Sequence, residues 1–272
     1  MIKYDRYPGG KRFAATFSYD DGPAGDRRLV EIFNKYNMKA TFNLISSSLL
    51  REGGDGVKAH EVNTLYAGHE IACHTYSHPH LEKMSIKDQY DEIIRDREIL
   101  ESLCGRLVRG LAYPFGTFGE DTHTAMKTAS IVYGRTAVSK KSFLLPDDFL
   151  VWDPTTHHNE CEASIKSFIY SVEKAPWRAG NLLYIWGHSY ELAAADTPVG
   201  FEKFEELIKP LAEHSGDIWF ATNIEIYNYI NAQKALLRSA DGKTIHNPTD
   251  TDVWVSNDDT ALEIPKCGTV II

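Results

Sequence analysis

The chain has 272 residues, 43% of them hydrophobic and 25% charged, the balance of a globular protein and not of a disordered or fibrous one. With 29 Lys+Arg against 38 Asp+Glu the formal charge is −9, and no basic run interrupts it, which argues against a nucleic-acid surface and against anionic membranes. No stretch approaches the ~18 consecutive apolar residues of a membrane span. Met1-Ile-Lys-Tyr-Asp-Arg-Tyr-Pro lacks the apolar core of a signal peptide, so the expectation is a cytoplasmic protein. Cys73, Cys104, Cys161 and Cys267 form no C-x-x-C pair and are expected to be reduced thiols.

Arg12 to Tyr19 alternates, with Phe13, Ala15, Phe17 and Tyr19 on one face, and stops at Asp20-Asp21-Gly22-Pro23, which predicts a strand and a turn. Leu29, Ile32, Phe33 and Tyr36 recur at helical spacing, and Lys39 to Ile45 is strand-like. After Gly53, Gly54 and Gly56 a helix ends at Gly68, and the short strand Glu70-Ile71-Ala72-Cys73 runs into His74. Ser85 and Asp88 resemble a capping box opening a helix with an apolar stripe of Ile86, Tyr90, Ile93, Ile94 and Leu100, closed by Gly105. A strand from Leu107 to Tyr113 stops at Pro114 and Gly116. Helix Asp121 to Ala129, strand Ile131 to Arg135, short strand Phe149 to Trp152, helix Ala163 to Lys174 and apolar run Leu182 to Trp186 follow. Helix Phe204 to Ala212, strand Ile218 to Ala221 and helix Ile224 to Leu236 complete the alternation.

Strand–helix alternation repeated about eight times predicts an α/β fold, a distorted (β/α) barrel of seven to eight units over residues 1–238. Beyond Ser239 the turn signals Asp241-Gly242, Asn247-Pro248 and Asn257-Asp258-Asp259 surround Val253-Trp254-Val255 and Thr269 to Ile272. They predict a small antiparallel β appendage over residues 239–272, packed on the barrel.

The polar residues that end the strands all fall on one rim of such a barrel, its C-terminal face, where active sites are built. Asp20 and Asp21 follow the first strand and His74 and His78 the third. Tyr113-Pro114-Phe115-Gly116 closes the fourth, Asp153 ends the sixth and His188 the seventh. Adjacent carboxylates repel, and a cation relieves that, so one of Asp20 and Asp21 reads as a metal ligand and the other as a general base; the alternative is an Asx-turn. In His74-x-x-x-His78 the spacing brings two imidazoles to one side of a helical turn, a donor set suited to Zn²⁺ or another first-row divalent ion. His188, at the end of an apolar strand, is placed to protonate a leaving group. His157-His158 reads as a solvated loop.

Thr16-Phe17-Ser18-Tyr19-Asp20-Asp21-Gly22, His74-x-x-x-His78, Tyr113-Pro114-Phe115-Gly116 and the strand ending in His188 resemble the ordered motifs of the polysaccharide deacetylase family, carbohydrate esterase family four. The resemblance spans roughly residues 12–236. It implies a divalent metal on Asp21, His74 and His78, Zn²⁺ first with Co²⁺, Ni²⁺ or Mn²⁺ as alternatives. It further implies Asp20 as general base, His188 as general acid and the backbone N–H of Phe115 as oxyanion donor. Two departures stand out. The family's third motif carries Arg where this chain has Ala112, leaving Arg109 or Arg135 as substitutes. The fourth motif reads Asp-Trp where this chain has Trp152-Asp153, so Asp153 is the candidate to orient His188.

The implied activity is metal-dependent hydrolysis of an N-acetyl or related acyl group on a carbohydrate or amino sugar. The alternatives are hydrolysis of a cyclic ureide or imide, which the family scaffold also supports, and non-catalytic carbohydrate binding. The expected partner is a carbohydrate or small amide substrate. Tyr76, Trp152, Trp186 and Tyr190 are candidates to stack on a sugar ring, or else barrel core. The oligomeric state is left open.

Overall fold

The computed structural model describes residues 1–177 and 181–272. Strand β1 (Ile2–Lys3) precedes the barrel, whose strands are β2 (Phe13–Asp21), β3 (Thr41–Leu44), β4 (Glu70–Cys73), β5 (Gly110–Ala112), β6 (Tyr133–Arg135), β7 (Thr156–His157), β8 (Leu182–Gly187) and β9 (Ile218–Phe220). Between and after them run helices α1 (Asp26–Lys35), α2 (Ser46–Leu49), α3 (Val62–Leu65), α4 (Ile86–Cys104), α5 (Glu120–Thr128), α6 (Cys161–Lys174), α7 (Ser189–Ala193), α8 (Phe201–Glu213) and α9 (Asn223–Lys234). The parallel sheet runs β6-β5-β4-β3-β2-β8-β7, with β9 on the first residues of β2. Trp152 bridges Arg135 in parallel, its N–H donating to Gly134 O at 2.8 Å, and this curls β6 round toward β7. The structure bears out the distorted (β/α) barrel.

Strand parity decides what points where, because successive side chains take opposite faces. On β2, Phe13, Ala15, Phe17 and Tyr19 join the apolar layer under the helices, with Phe33 of α1, Ile93 of α4, Phe168 of α6 and Phe204 of α8. The even positions therefore face the barrel interior, where Ala14 packs with Tyr133, Trp152 and Tyr184 over Ile226 and Tyr229 of α9. Asp20 shares that parity, and so do Asn43 on β3, the His74 that continues β4, Arg135 on β6 and His188 beyond β8. Cys73 has the opposite parity and lies in the outer apolar layer, a small core residue. All four cysteines are free thiols.

Helix α4 is framed as its sequence dictates. Ser85 accepts the Asp88 N–H, and Gly105 ends the helix at φ 66°, a left-handed conformation that costs glycine little. Ile93 and Leu100 are buried, whereas Ile86 at the start of the stripe is exposed. The expected strand over Phe149 to Trp152 is instead a helical turn at Phe149–Val151, with Trp152 as a single bridge. The last segment forms β10 (Leu237–Arg238), β11 (Thr244–His246), β12 (Val253–Asn257), β13 (Thr260–Ile264) and β14 (Thr269–Ile271), in two antiparallel three-stranded sheets. One of these sheets takes in β1 from the other end of the chain. Ile245, Val253, Val255 and Ile264 bury themselves against Ala232 and Leu236 at the end of α9. No helix among the described residues is long and apolar enough to cross a membrane.

Candidate active site

Asp20 is buried at the C-terminal end of β2, 2% exposed. Its Oδ1 accepts Asn43 Nδ2 at 2.8 Å, and its Oδ2 accepts the Arg135 guanidinium. His188 Nε2 lies 3.8 Å and His74 Nε2 3.9 Å from the same Oδ2. Burial pushes this carboxyl up, but Arg135, with His74 and His188, outweighs burial and holds it below the usual carboxylate range. Asp20 is therefore an ionised acceptor at neutral pH. Arg135 fills the place left by Ala112: the two are partners in the β5–β6 register, so the guanidinium comes from the neighbouring strand at the same level. It is 1% exposed and its charge lies over the Trp186 ring at 4.6 Å. Arg109 lies at the opposite end of the barrel, before β5, and lines a separate cavity.

The Gly22-Pro23 turn carries Asp21 to φ 76° and off the strand's path, so neighbouring carboxylates reach the same rim. Asp21 Oδ1 lies 3.5 Å from His74 Nε2 and 3.9 Å from His78 Nε2. The three donor atoms all fall within 4.8 Å of one another. His74 Nδ1 faces Ala112 O at 2.8 Å; with the proton assigned to that nitrogen, the Nε2 lone pair is left toward Asp21. Burial holds His74 below the ordinary histidine value despite Asp20 and Asp21, which favours the neutral, ligating form. Asp21 Oδ1 is itself buried without a hydrogen-bond partner among the described residues. An orphaned carboxylate oxygen facing two imidazole nitrogens fits a first-row divalent cation. Thr75 and His78 also adopt positive φ, 64° and 60°. The loop is held from below by Asp96 of α4, whose carboxylate accepts the backbone N–H groups of His74 at 3.0 Å and Ser46 at 2.9 Å. Burial raises the Asp96 carboxyl to about 7.

His188 is oriented by Glu191 and not by Asp153. Glu191 Oε2 accepts the His188 backbone N–H at 3.1 Å and lies 3.1 Å from His188 Nδ1, closing the first turn of α7. Burial works against a charge on His188, but the Glu191 hydrogen bond and the carboxylates of Asp20 and Asp21 outweigh it and raise the imidazole above its ordinary value. Asp153 is corrected to a structural residue: after the single bridge at Trp152 the chain turns, and the carboxylate takes Thr136 Oγ1 and pairs with Lys140 at 2.8 Å. The expectation of a solvated His157-His158 loop also fails. His158 is fully buried, and His157 Nε2 stands 3.1 Å from Glu191 Oε2.

These groups line a cavity of about 300 Å³ whose other walls are Tyr113, Phe115, Gly116, Ala137, Trp186 and Tyr190. Phe115, at φ 60° and 54% exposed, stacks on His80 with ring centroids 4.0 Å apart. Of the four sugar-stacking candidates, Trp186 and the half-exposed Tyr190 reach the cavity. Trp152 is core, and Tyr76 lies under Arg95, 3.6 Å from the ring centroid.

Fold and site together define a (β/α) barrel that sets Asp20 beside His188, and Asp21, His74 and His78 as a group that could hold a cation, on its C-terminal rim. Residues 6–134, just under half of the chain, match the family model described as polysaccharide deacetylase. Over 108 residues it is 31% identical to a peptidoglycan-N-acetylglucosamine deacetylase of Listeria monocytogenes, a match covering 39% of this chain and 22% of that protein. The chain thus spans about a fifth of that relative's length. Among solved structures, a polysaccharide deacetylase fold from Mycobacterium smegmatis superposes with a TM-score of 0.64 at 18% identity, covering 88% of this chain and 98% of that one. A family 4 acetyl xylan esterase from Clostridium thermocellum, in complex with a cobalt ion, superposes at 0.53 and 17% identity, covering 79% and 90%. The fold is also shared by a family pseudoenzyme from Bacillus anthracis, at 0.53 and 15% identity over 80% and 66%. Fold alone therefore does not establish catalysis.

Proposed function

We propose that this protein is a metal-dependent deacetylase that hydrolyses the N-acetyl group of a carbohydrate substrate. The carrying observation is the meeting of Asp20, ionised by Arg135, with His188 Nε2 at 3.8 Å, beside the orphaned oxygen of Asp21. Asp21, His74 and His78 would hold one divalent cation, Zn²⁺ first and Co²⁺, Ni²⁺ or Mn²⁺ as alternatives. Such an ion polarises an acyl oxygen and makes a water acidic enough to lose its proton near neutral pH.

The chain's own residues do the rest. Asp20, acceptor-only and fixed by Asn43 and Arg135, takes the proton of the attacking water. The Phe115 N–H helps hold the charge that develops on the acyl oxygen, a kind of donor worth about 3–4 kcal/mol elsewhere. His188, protonated through Glu191, gives its Nε2 proton to the leaving amine, which cannot depart as an amide anion at pH 7. Phe115, Trp186 and Tyr190 offer apolar faces to a sugar ring. The guanidinium beside the base is present on another strand, as Arg135, so Ala112 in the third motif gives no ground for preferring a cyclic ureide. Protein purified without chelator should carry one first-row divalent ion and release acetate from N-acetylated oligosaccharides. Asp20→Asn should keep the ion and lose about 10²–10⁴ in rate. Turnover of cyclic ureides alone, or near wild-type acetate release by the variant, would overturn this reading.

A further inference from the structure

Glu191 Oε2 is crowded by nitrogen. It lies 3.1 Å from His188 Nδ1, 3.1 Å from His157 Nε2 and 3.5 Å from His158 Nε2, and it accepts the His188 backbone N–H. His157, His188 and Glu191 offer donor atoms within 4.8 Å of one another, as a metal site does. Tautomers separate the two cases. An imidazole that ligates through Nε2 keeps its proton on Nδ1, as the contact of His74 with Ala112 O allows. His157 does the reverse: its Nδ1 accepts the Asn159 backbone N–H at 3.3 Å, so a neutral ring carries its proton on Nε2, facing Glu191. A protonated nitrogen donates to the carboxylate and does not bind a cation.

We propose that His157 is a positioning residue for the general acid, clamping Glu191 so that its carboxylate stays on His188 Nδ1. This rests on reading His188 as the acid. The clamp adds to the two His188 contacts of a carboxylate that sits on a five-residue helix and is 28% exposed. His157 is not free to move: the β7–β8 register sets it opposite Trp186, and its backbone N–H donates to Ser139 Oγ at 3.1 Å. His158 closes the remaining side, stacked on Tyr19 and packed against the bare Cα of Gly187, where a Cβ would fall 2.0 Å from its Nδ1. Burial pushes His158 down to about 3, so it brings no competing charge. The groups facing His188 are Asp20 and Asp21 on β2, Glu191 and Tyr190 on α7, and His157 and His158 beside β8.

The test compares His157→Asn with His157→Gln in the full chain. The Gln amide reaches the position of imidazole Nε2; the Asn amide reaches only that of Nδ1. His157→Asn should lose about tenfold or more in kcat with KM and metal content unchanged, whereas His157→Gln should stay within about threefold of wild type. A substrate-free arm follows the His188 ring nitrogens by ¹⁵N NMR. Their titration midpoint should fall in His157→Asn and return in His157→Gln. Equal behaviour of Asn and Gln, or an unmoved midpoint in His157→Asn, would overturn the clamp. Absence of deacetylation by wild-type protein would refute the proposed function instead, and the NMR arm would still decide the role of His157.

Discussion

Replacing Arg135 with Met tests the centre of the site. The guanidinium and Asp20 are 1% and 2% exposed, so solvent screens neither, and Met keeps much of the apolar contact with Trp186. Removing one partner of a buried ion pair leaves the other charge uncompensated, at a typical cost of about 3–5 kcal/mol. Asn43 still donates to Asp20 Oδ1, which favours the lower end of that range. The sign with pH follows. In wild type the Asp20 pKa is held below its ordinary value of 3.8, so its contribution to stability is present above that value and lost as pH falls through the folded pKa. In Arg135→Met burial dominates, the carboxyl rises above its ordinary value, and the penalty is relieved by acidification. Urea unfolding of metal-free protein at pH 7 and pH 5 measures both effects. Asp20→Asn in the same background removes the stranded charge, so Arg135→Met/Asp20→Asn should be more stable at pH 7 than Arg135→Met alone. A loss below about 1 kcal/mol in the single variant, or a double variant no more stable, would refute the buried-pair account.

His74→Ala should lose the bound cation while the barrel stays folded, checked by metal analysis beside circular dichroism; full metal content would remove His74 from the ligand set. Activity should be bell-shaped in pH, the alkaline limb reporting the His188 imidazolium as a property of the coupled site. Because Glu191 raises His188, Glu191→Gln should move that limb to lower pH, whereas Asp153→Asn should leave it in place; the opposite pair of results would restore Asp153 as the orienting group.

The barrel was legible because alternation along Phe13 to Tyr19 and the strand-to-turn stops mark both the faces of the strands and the rim they end on. Parity of β2 carries Asp20 inside, and the four-residue spacing of His74 and His78 survives as a shared site, although the segment between them is not a helix but a loop in which Thr75 and His78 take positive φ. The partners of Asp20 were harder to read, because they come from strands remote in the chain. Asn43 is 23 positions from Asp20 and Arg135 is 115 away, and only the β2–β3 and β5–β6 registers bring them to the same level. Glu191 did leave a local signal. A Glu three residues after a strand-ending His is the spacing of a helix-capping pair, and here that spacing also brings the carboxylate to His188 Nδ1. Asp153 misled because Phe149 to Trp152 is apolar enough for a strand yet pairs through Trp152 alone, so the chain turns before its carboxylate can reach His188.

The displacement of the guanidinium from β5 to β6 has a steric basis. At two successive inward levels β5 carries small residues and β6 large ones: Gly110 opposite Tyr133, then Ala112 opposite Arg135. A Cβ on Gly110 would fall 2.1 Å from the Tyr133 ring, so the volume inside the barrel is already taken from the β6 side. Neighbouring strands lie about 4.8 Å apart, a shift that a long arginine side chain spans, so the charge beside Asp20 can be supplied from either strand but not from both at once. Ala112→Arg should therefore destabilise the protein, since a second guanidinium has neither space nor a second carboxylate. Arg135→Ala should cost activity by leaving Asp20 unpaired. The double variant Ala112→Arg/Arg135→Ala should recover on the order of tenfold of what Arg135→Ala loses, because the guanidinium re-enters at the same register level. Hydrolysis rates and unfolding midpoints of the three variants, measured together, decide it. A double variant no better than Arg135→Ala would mean that Asp20 depends on the direction from which Arg135 approaches, fixed by its contact with Trp186, and not on a positive charge at that level of the barrel.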